Sequence, residues 1–156
     1  MKLANLVCPE AILLDLDGND RDSVIGELVA ALGKAGKIAK KEIEPLTKAV
    51  IEREIEASTG IGKGVAVPHV KTQSISKPIA AFGLCRNGLD FSSLDKQPVY
   101  SIFLLISPEK NSDAHISAME IIFKNLQKDD FRSFLKQAKT VDDVVSLLKE
   151  ADANEI

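Results

Sequence analysis

The first half of the chain combines short apolar runs with segments of helical periodicity. Residues 11–16 (AILLDL) form an apolar run followed by turn-forming residues, which predicts a strand. After it, Asp20 or Asp22 can cap a helix that runs to Gly33. A second helix is predicted over residues 40–57, because its apolar side chains recur at helical spacing and form one stripe, made of Ile43, Leu46, Val50 and Ala57.

The second half contains the most apolar run of the chain. Residues 79–85 predict one strand, and residues 99–107 (VYSIFLLIS) predict a central strand that is buried on both faces. Asn87-Gly88, between these runs, predicts a turn. Three further helices are predicted, over residues 112–126, 130–138 and 140–150. This interleaving predicts an α/β fold with a mixed β-sheet flanked by helices, in a single domain over residues 1–156.

Composition and charge exclude several classes of function. Lys plus Arg number 20 against 23 Asp plus Glu, so the chain lacks the basic excess of a nucleic-acid-binding domain. No apolar window reaches the roughly 18 residues of a transmembrane helix, and the N-terminal apolar stretch is too short for a signal peptide. Cys8 and Cys85 have no motif spacing, which favours free thiols in a reducing compartment. A cytoplasmic protein is therefore expected.

Residues 58–64 (STGIGKG) form a glycine-rich segment between the second helix and a short predicted strand at residues 65–68. A nucleotide-binding P-loop requires the pattern G-x-x-x-x-G-K-[ST]. Ala57 stands where that pattern needs its first glycine, and Gly64 stands where it needs Ser or Thr, so a P-loop is excluded. Two interpretations remain open, a flexible connection and a loop whose backbone N–H groups approach an anion.

Only two histidines are present, and each has a structural and a functional interpretation. His69 follows Pro68 at the end of the short strand and is either a surface histidine or a nucleophile, since imidazole titrates near neutral pH. His115 lies in the first turn of the helix over residues 112–126 and shares one helical face with apolar side chains. It therefore points into the core or into a cleft at the edge of the core, just beyond the end of the buried strand.

Arg53 lies on the apolar stripe of the second helix, where a charged side chain needs a partner or a polar cleft. It can pair with an acid such as Glu54, extend its charged end to solvent, or hold phosphoryl oxygens with its planar guanidinium. A metal site is not expected, because the chain has two histidines and no H-E-x-x-H pattern.

Residues 58–69 (STGIGKGVAVPH) resemble the STGIGxGIAIPHG signature of enzyme IIA domains of the bacterial phosphoenolpyruvate-dependent sugar phosphotransferase system. The class is the fructose–mannitol type, which includes the nitrogen-regulatory IIA proteins. The resemblance continues through residues 97–99 to Pro108, reaches the second histidine of the family at His115, and fits Phe131-Arg132 near the end. It covers most of the chain.

The resemblance implies that His69 accepts a phosphoryl group at Nε2 from an HPr-like phosphocarrier protein and passes it to a IIB component in sugar uptake. His115 would then hydrogen-bond the phosphoryl group and Arg53 would stabilise it, with no cofactor and no metal. One position departs from the family pattern, because Val70 replaces the glycine that usually comes after Pro-His. A less free backbone is expected there, with slower transfer or altered partner choice.

A second function stays open from the sequence. The domain can be a regulatory binding module, in which the phosphorylation state of His69 controls a kinase, a transporter or a transcription factor. Both functions use the same histidine, so the site residues do not separate them. A third interpretation is a IIA fold that no longer transfers phosphate, and the presence of His69, His115 and Arg53 together argues against it.

Overall fold

The computed structural model describes residues 1–156 and contains one six-stranded mixed sheet with helices on both faces. The strands are β1 (Val7–Leu13), β2 (Gly60–Gly62), β3 (Val65–Ala66), β4 (His69–Thr72), β5 (Ile79–Leu89) and β6 (Val99–Pro108). The α-helices are α1 (Leu3–Leu6), α2 (Arg21–Lys34), α3 (Ile43–Glu56), α4 (Ser112–Leu126), α5 (Asp129–Gln137) and α6 (Val141–Asp152). This architecture confirms the predicted α/β class with a mixed, helix-flanked sheet.

The strand β6 is the centre of the sheet. The strand order is β1-β5-β6-β3-β2, and β4 also pairs with β6, beyond the end of β3. Strand β6 runs antiparallel to β5 and parallel to both β3 and β4. Nine of its ten residues are buried, which confirms the central strand predicted from the apolar run.

Alternate side chains of β6 enter two separate hydrophobic cores, as the two-residue repeat of a strand requires. Phe103 and Leu105 belong to the core under α4, α5 and α6. Ile102 and Leu104 belong to the core under α2 and α3. The strand therefore supports both layers of helices at once.

Three elements differ from the sequence predictions. The first strand starts at Val7 and ends at Leu13, and it includes Pro9, which a sheet tolerates because β1 pairs only with β5 at the edge. Asn87-Gly88 forms no turn; β5 continues through it with a register shift against β6 between Leu84 and Leu89. The predicted turn is instead an irregular stretch of the strand, in which Gly88 takes a positive φ of 82° that glycine adopts without strain.

The third difference concerns the glycine-rich segment, for which the sequence predicts a loop. Its residues Gly60–Gly62 form β2 and pair antiparallel with β3, so the segment is a small hairpin. The strand predicted over residues 65–68 ends at Ala66, and His69 begins the next strand, β4. Pro68 separates the two strands because it has no N–H to donate to the sheet, and only its carbonyl is used, by the N–H of Leu105 at 2.9 Å.

The helix starts agree with the capping residues of the sequence. Asp20, one of the two predicted caps of α2, accepts a hydrogen bond from the N–H of Ser23 at 2.8 Å. Asn111 caps α4 in the same way through the N–H of Ala114 at 3.1 Å. The second cap matters for function, because it fixes where α4 begins and therefore where His115 lies.

Candidate functional site

The structure brings the two histidines together. Their ring centroids lie 5.7 Å apart and the ring planes are tilted by 41°. His69 begins β4, directly opposite Leu105 on the parallel strand β6. His115 lies in the first turn of α4, which comes after the end of β6. The sheet and the helix N-terminus thus converge on one small polar site at the carboxyl end of the central strand.

The ring of His69 is held in one tautomer. Its Nδ1 lies 2.9 Å from the carbonyl oxygen of Val67. A carbonyl oxygen can only accept, so Nδ1 carries the proton and donates it. In the neutral ring Nε2 then has a free lone pair, and the side chain is half-buried rather than enclosed. This is the arrangement that a nitrogen nucleophile needs.

The ring of His115 is anchored from the strand beneath it. Its Nδ1 lies 2.7 Å from the hydroxyl oxygen of Ser107, which is fully buried on β6. Partial burial first, and then the neighbouring His69 and Lys71, hold the pKa of His115 below its ordinary value. A neutral imidazole is therefore favoured near pH 7. The inward orientation predicted for His115 is correct, and its place is the edge of the core.

Strand β4 aims alternate side chains at opposite faces of the sheet. His69 and Lys71 share the face that carries α4, with Lys71 paired in register with Ser107. Val70 points the other way and packs against the core under α2 and α3. The backbone at Val70 is an extended strand, which a β-branched residue adopts readily, so the fold does not require glycine at this position.

Arg53 is close to the glycine-rich hairpin along the chain but makes no hydrogen bond to either histidine. It lies in the last turn of α3, is half-buried, and donates from Nη1 to the carbonyl of Ala57 at 2.9 Å. It does not pair with Glu54, as one sequence interpretation allowed. The predicted apolar stripe also ends early, because Ala57 leaves the helix with an extended backbone and is exposed.

The sequence predictions assign no site role to three buried polar residues, and they name Glu54 only as a partner of Arg53. Glu54 and Thr59 are buried and hydrogen-bond to each other, and Ser107 is buried and lies within hydrogen-bond distance of His115. A sequence signal exists for two of them. Glu54 is four residues after Val50 and so belongs on the buried face of α3, while Ser107 is a polar residue at an inward position of β6.

Neither a metal cluster nor a membrane span is found. No group of three or more His, Cys, Asp or Glu side chains is arranged to hold a metal ion. No helix of the chain combines the length and apolarity needed to cross a bilayer.

Comparison with known proteins gives a consistent set of relatives. The family model described as "Phosphoenolpyruvate-dependent sugar phosphotransferase system, EIIA 2" matches residues 5–151. The fructose-specific EIIABC component of Bacillus subtilis is 33% identical over 152 residues, covering 97% of this chain but only 24% of that protein. The chain thus spans about a quarter of the length of this relative.

A second relative is similar along its whole length. The nitrogen regulatory protein of Bradyrhizobium diazoefficiens is 32% identical over 148 residues, which cover 95% of both chains. Among solved structures, the nitrogen regulatory protein IIA-Ntr of Neisseria meningitidis superposes with a TM-score of 0.82 at 23% identity. That match covers 93% of this chain and 97% of the other, and it supports the same fold.

Proposed function

The chain belongs to the EIIA 2 family of the phosphoenolpyruvate-dependent sugar phosphotransferase system, and on that basis we propose that His69 is its phosphoryl acceptor. An HPr-like phosphocarrier protein donates the phosphoryl group, and a IIB component receives it during sugar uptake. The chain is thus a phosphotransferase with a phosphohistidine intermediate. The two free cysteines suit a reducing compartment, so the relay operates in the cytoplasm.

The observation that carries this proposal is the hydrogen bond from Nδ1 of His69 to the carbonyl of Val67. It leaves the lone pair of Nε2 free for in-line attack on phosphorus. As the Nε2–P bond forms, the bond from phosphorus to the donor breaks and its electron pair stays with the donor. The ring keeps its Nδ1 proton and becomes positively charged, and the Val67 carbonyl stabilises that charge.

His115 supports the transferred group from the side. Its lowered pKa favours the neutral ring, and the short contact with Ser107 allows Nδ1 to accept a hydrogen bond from the serine hydroxyl. The remaining ring proton is then on Nε2, which can donate to a phosphoryl oxygen. Catalysis of phosphoryl transfer depends mainly on such positioning and charge stabilisation.

Arg53 supplies the positive charge that the phosphoryl oxygens require. Its guanidinium is bound only to the carbonyl of Ala57, so four of its five donors are free. When the phosphoryl group arrives, the side chain exchanges that neutral acceptor for a charged one, which gives a stronger hydrogen bond.

The second candidate function is regulation, and the full-length similarity to a nitrogen regulatory protein favours it. Here the same phosphorylation of His69 changes the affinity of the chain for target proteins. The two functions differ in the step that comes after phosphorylation. Transfer onward to a IIB component indicates transport, whereas state-dependent capture of another protein, with no onward transfer, indicates regulation.

Phosphorylation in a reconstituted system tests the proposal. The protein is incubated with phosphoenolpyruvate, enzyme I and the phosphocarrier, and its intact mass is measured at neutral pH. We expect one phosphoryl group on the wild type, none on His69→Ala, and slower but detectable labelling of His115→Ala. Labelling that persists in His69→Ala excludes His69 as the acceptor.

A further inference from the structure

Glu54 is in a position that costs stability. Its side chain is only 2% exposed, and no Lys, Arg or His forms an ion pair with it. It also lies in the last turn of α3, where the helix dipole disfavours negative charge. A buried carboxylate without a cationic partner is normally selected against. Packing alone therefore does not explain an acidic residue here.

The hydrogen bonds of Glu54 all go to one residue. One carboxylate oxygen accepts the backbone N–H of Thr59 at 3.1 Å, and the other accepts the hydroxyl of the same threonine. Because the threonine proton is used in this way, the hydroxyl oxygen is free to accept. It accepts the backbone N–H of Val67 at 3.2 Å. Glu54 thus fixes the direction of both hydrogen bonds of the Thr59 hydroxyl.

Val67 links this buried pair to the nucleophile. Its N–H is held by Thr59, and its carbonyl accepts Nδ1–H of His69 at 2.9 Å. These two groups belong to successive peptide planes, so the effect is geometric: the threonine fixes how the valine backbone is turned. The next residue, Pro68, has no N–H of its own. The Val67 N–H is therefore the backbone donor that restrains this stretch, and the Thr59 hydroxyl accepts it.

We propose that Glu54 is a positioning residue for phosphoryl transfer, acting through Thr59 and Val67 to orient the ring of His69. The proposal rests on His69 being the phosphoryl acceptor. Losing the Glu54 charge loosens the Val67 carbonyl and lets the His69 ring populate the tautomer with its proton on Nε2. That tautomer has no lone pair at Nε2 and cannot attack phosphorus.

Glu54→Gln removes the negative charge of the side chain and keeps its shape. The amide oxygen still accepts the N–H of Thr59, and the amide nitrogen now donates to the threonine hydroxyl. Thr59→Val removes the hydroxyl at nearly constant volume, and Thr59→Ser restores it. Glu56→Gln is the matched control, because Glu56 ends the same helix, is exposed, and makes no side-chain hydrogen bond.

Two measurements are made on each variant. Nitrogen-15 NMR of the unphosphorylated protein reports the His69 tautomer, and rapid-quench labelling with enzyme I and the phosphocarrier reports the rate. We expect Glu54→Gln and Thr59→Val to lose the preference for the Nδ1–H tautomer and to slow labelling about tenfold or more. Thr59→Ser recovers most of both, and Glu56→Gln resembles the wild type. Thermal unfolding of Glu54→Gln is expected at or above the wild-type temperature.

The outcomes separate this proposal from the one on which it rests. If Glu54→Gln keeps both the wild-type tautomer and the wild-type rate, the positioning role is wrong, even when His69 is the acceptor. If Glu54→Gln slows labelling only because it unfolds, the role is equally wrong. If the wild type is not labelled on His69, the proposed function fails, while the tautomer comparison still decides whether Glu54 orients the ring.

Discussion

The hydroxyl oxygen of Ser107 lies 2.7 Å from Nδ1 of His115, and the serine is completely shielded from solvent. A buried hydroxyl requires a partner, and no other side chain forms a hydrogen bond with it. The histidine therefore satisfies the serine while the serine orients the histidine. The site that faces solvent is built on a polar residue of the hydrophobic strand β6.

Replacing Ser107 tests this dependence. Ser107→Ala removes the buried partner of His115 and is expected to cost about 1 kcal/mol in the free energy of unfolding. Labelling of His69 is also expected to slow several-fold, because the His115 ring is free to rotate. Urea unfolding and rapid-quench labelling measure the two effects. Ser117→Ala, an exposed site on α4, the helix that carries His115, is the control, and equal behaviour of the two variants would contradict the anchoring role.

Lys71 contributes to the lowered pKa of His115. Its positive charge is one of the causes that lower the pKa of His115, after burial and His69. Lys71→Gln removes that charge, so the pKa of His115 is expected to rise towards its ordinary value without reaching it. An NMR titration of the ring protons measures the change. The control is Lys77→Gln, an exposed lysine beyond the end of β4, and a pKa that stays unchanged in Lys71→Gln would refute the electrostatic link.

The same lowered pKa makes stability depend on pH. The unfolded chain binds a proton at His115 more tightly than the folded chain, so acid favours unfolding. The contribution of His115 to the free energy of unfolding is expected to be fully present above the ordinary histidine pKa of 6.5 and to be lost as the pH drops below it. The carboxylates with lowered pKa, Glu10, Asp20 and Asp143, have ordinary values of 4.5 or 3.8, so their contribution appears at lower pH.

Urea unfolding between pH 7.5 and 5 measures this slope. His115→Gln has no titrating ring at that position and is expected to give a flatter profile over the same range. A wild-type profile that is level down to pH 5, or a variant with an unchanged slope, would show that the histidine does not couple protonation to folding.

Gly60 in the glycine-rich hairpin has a steric reason to be glycine. A Cβ at this position would lie 2.3 Å from Oγ and 3.0 Å from the Cα of Ser93. Gly60→Ala is therefore expected to lower the free energy of unfolding by about 1–3 kcal/mol through crowding. Ser93→Gly removes the nearest atoms, so the double variant should recover part of that loss. Additive losses in a double-mutant cycle measured by urea unfolding would exclude this contact as the cause.

The sequence predicts those elements in which the local pattern of apolar and polar residues matches their burial in the folded chain. The run over residues 99–107 predicts a buried central strand because both of its faces are apolar, and β6 is that strand. Helix α4 is predictable from its cap at Asn111, and its apolar face gives the inward orientation of His115. The family signature adds the proposed acceptor His69, which the local pattern alone does not distinguish from a surface histidine.

The features that the sequence does not predict depend on contacts between distant residues. The irregular stretch at Asn87-Gly88 resembles a turn because its residues are turn-formers, and the strand is recognisable only because pairing with β6 resumes at Leu89, opposite Val99. The bonds that connect Glu54, Thr59 and Val67 leave no periodic trace, because Thr59 and Val67 lie in connections outside the helices and strands. Arg53 shares the same limit: its sequence position suggests an ion pair with Glu54, but the acid is already engaged by Thr59.

The two histidines come from different elements, yet strand β6 positions both of them. Leu105 of β6 is the register partner of His69, and Ser107, two residues on, holds His115. The distance between the two rings is therefore set by the two-residue repeat of a strand that contributes to both hydrophobic cores. Unfolding of the central sheet therefore separates the two side chains, and the protection of the Leu105 amide proton against exchange with solvent is expected to report the stability of the sheet and of the site together.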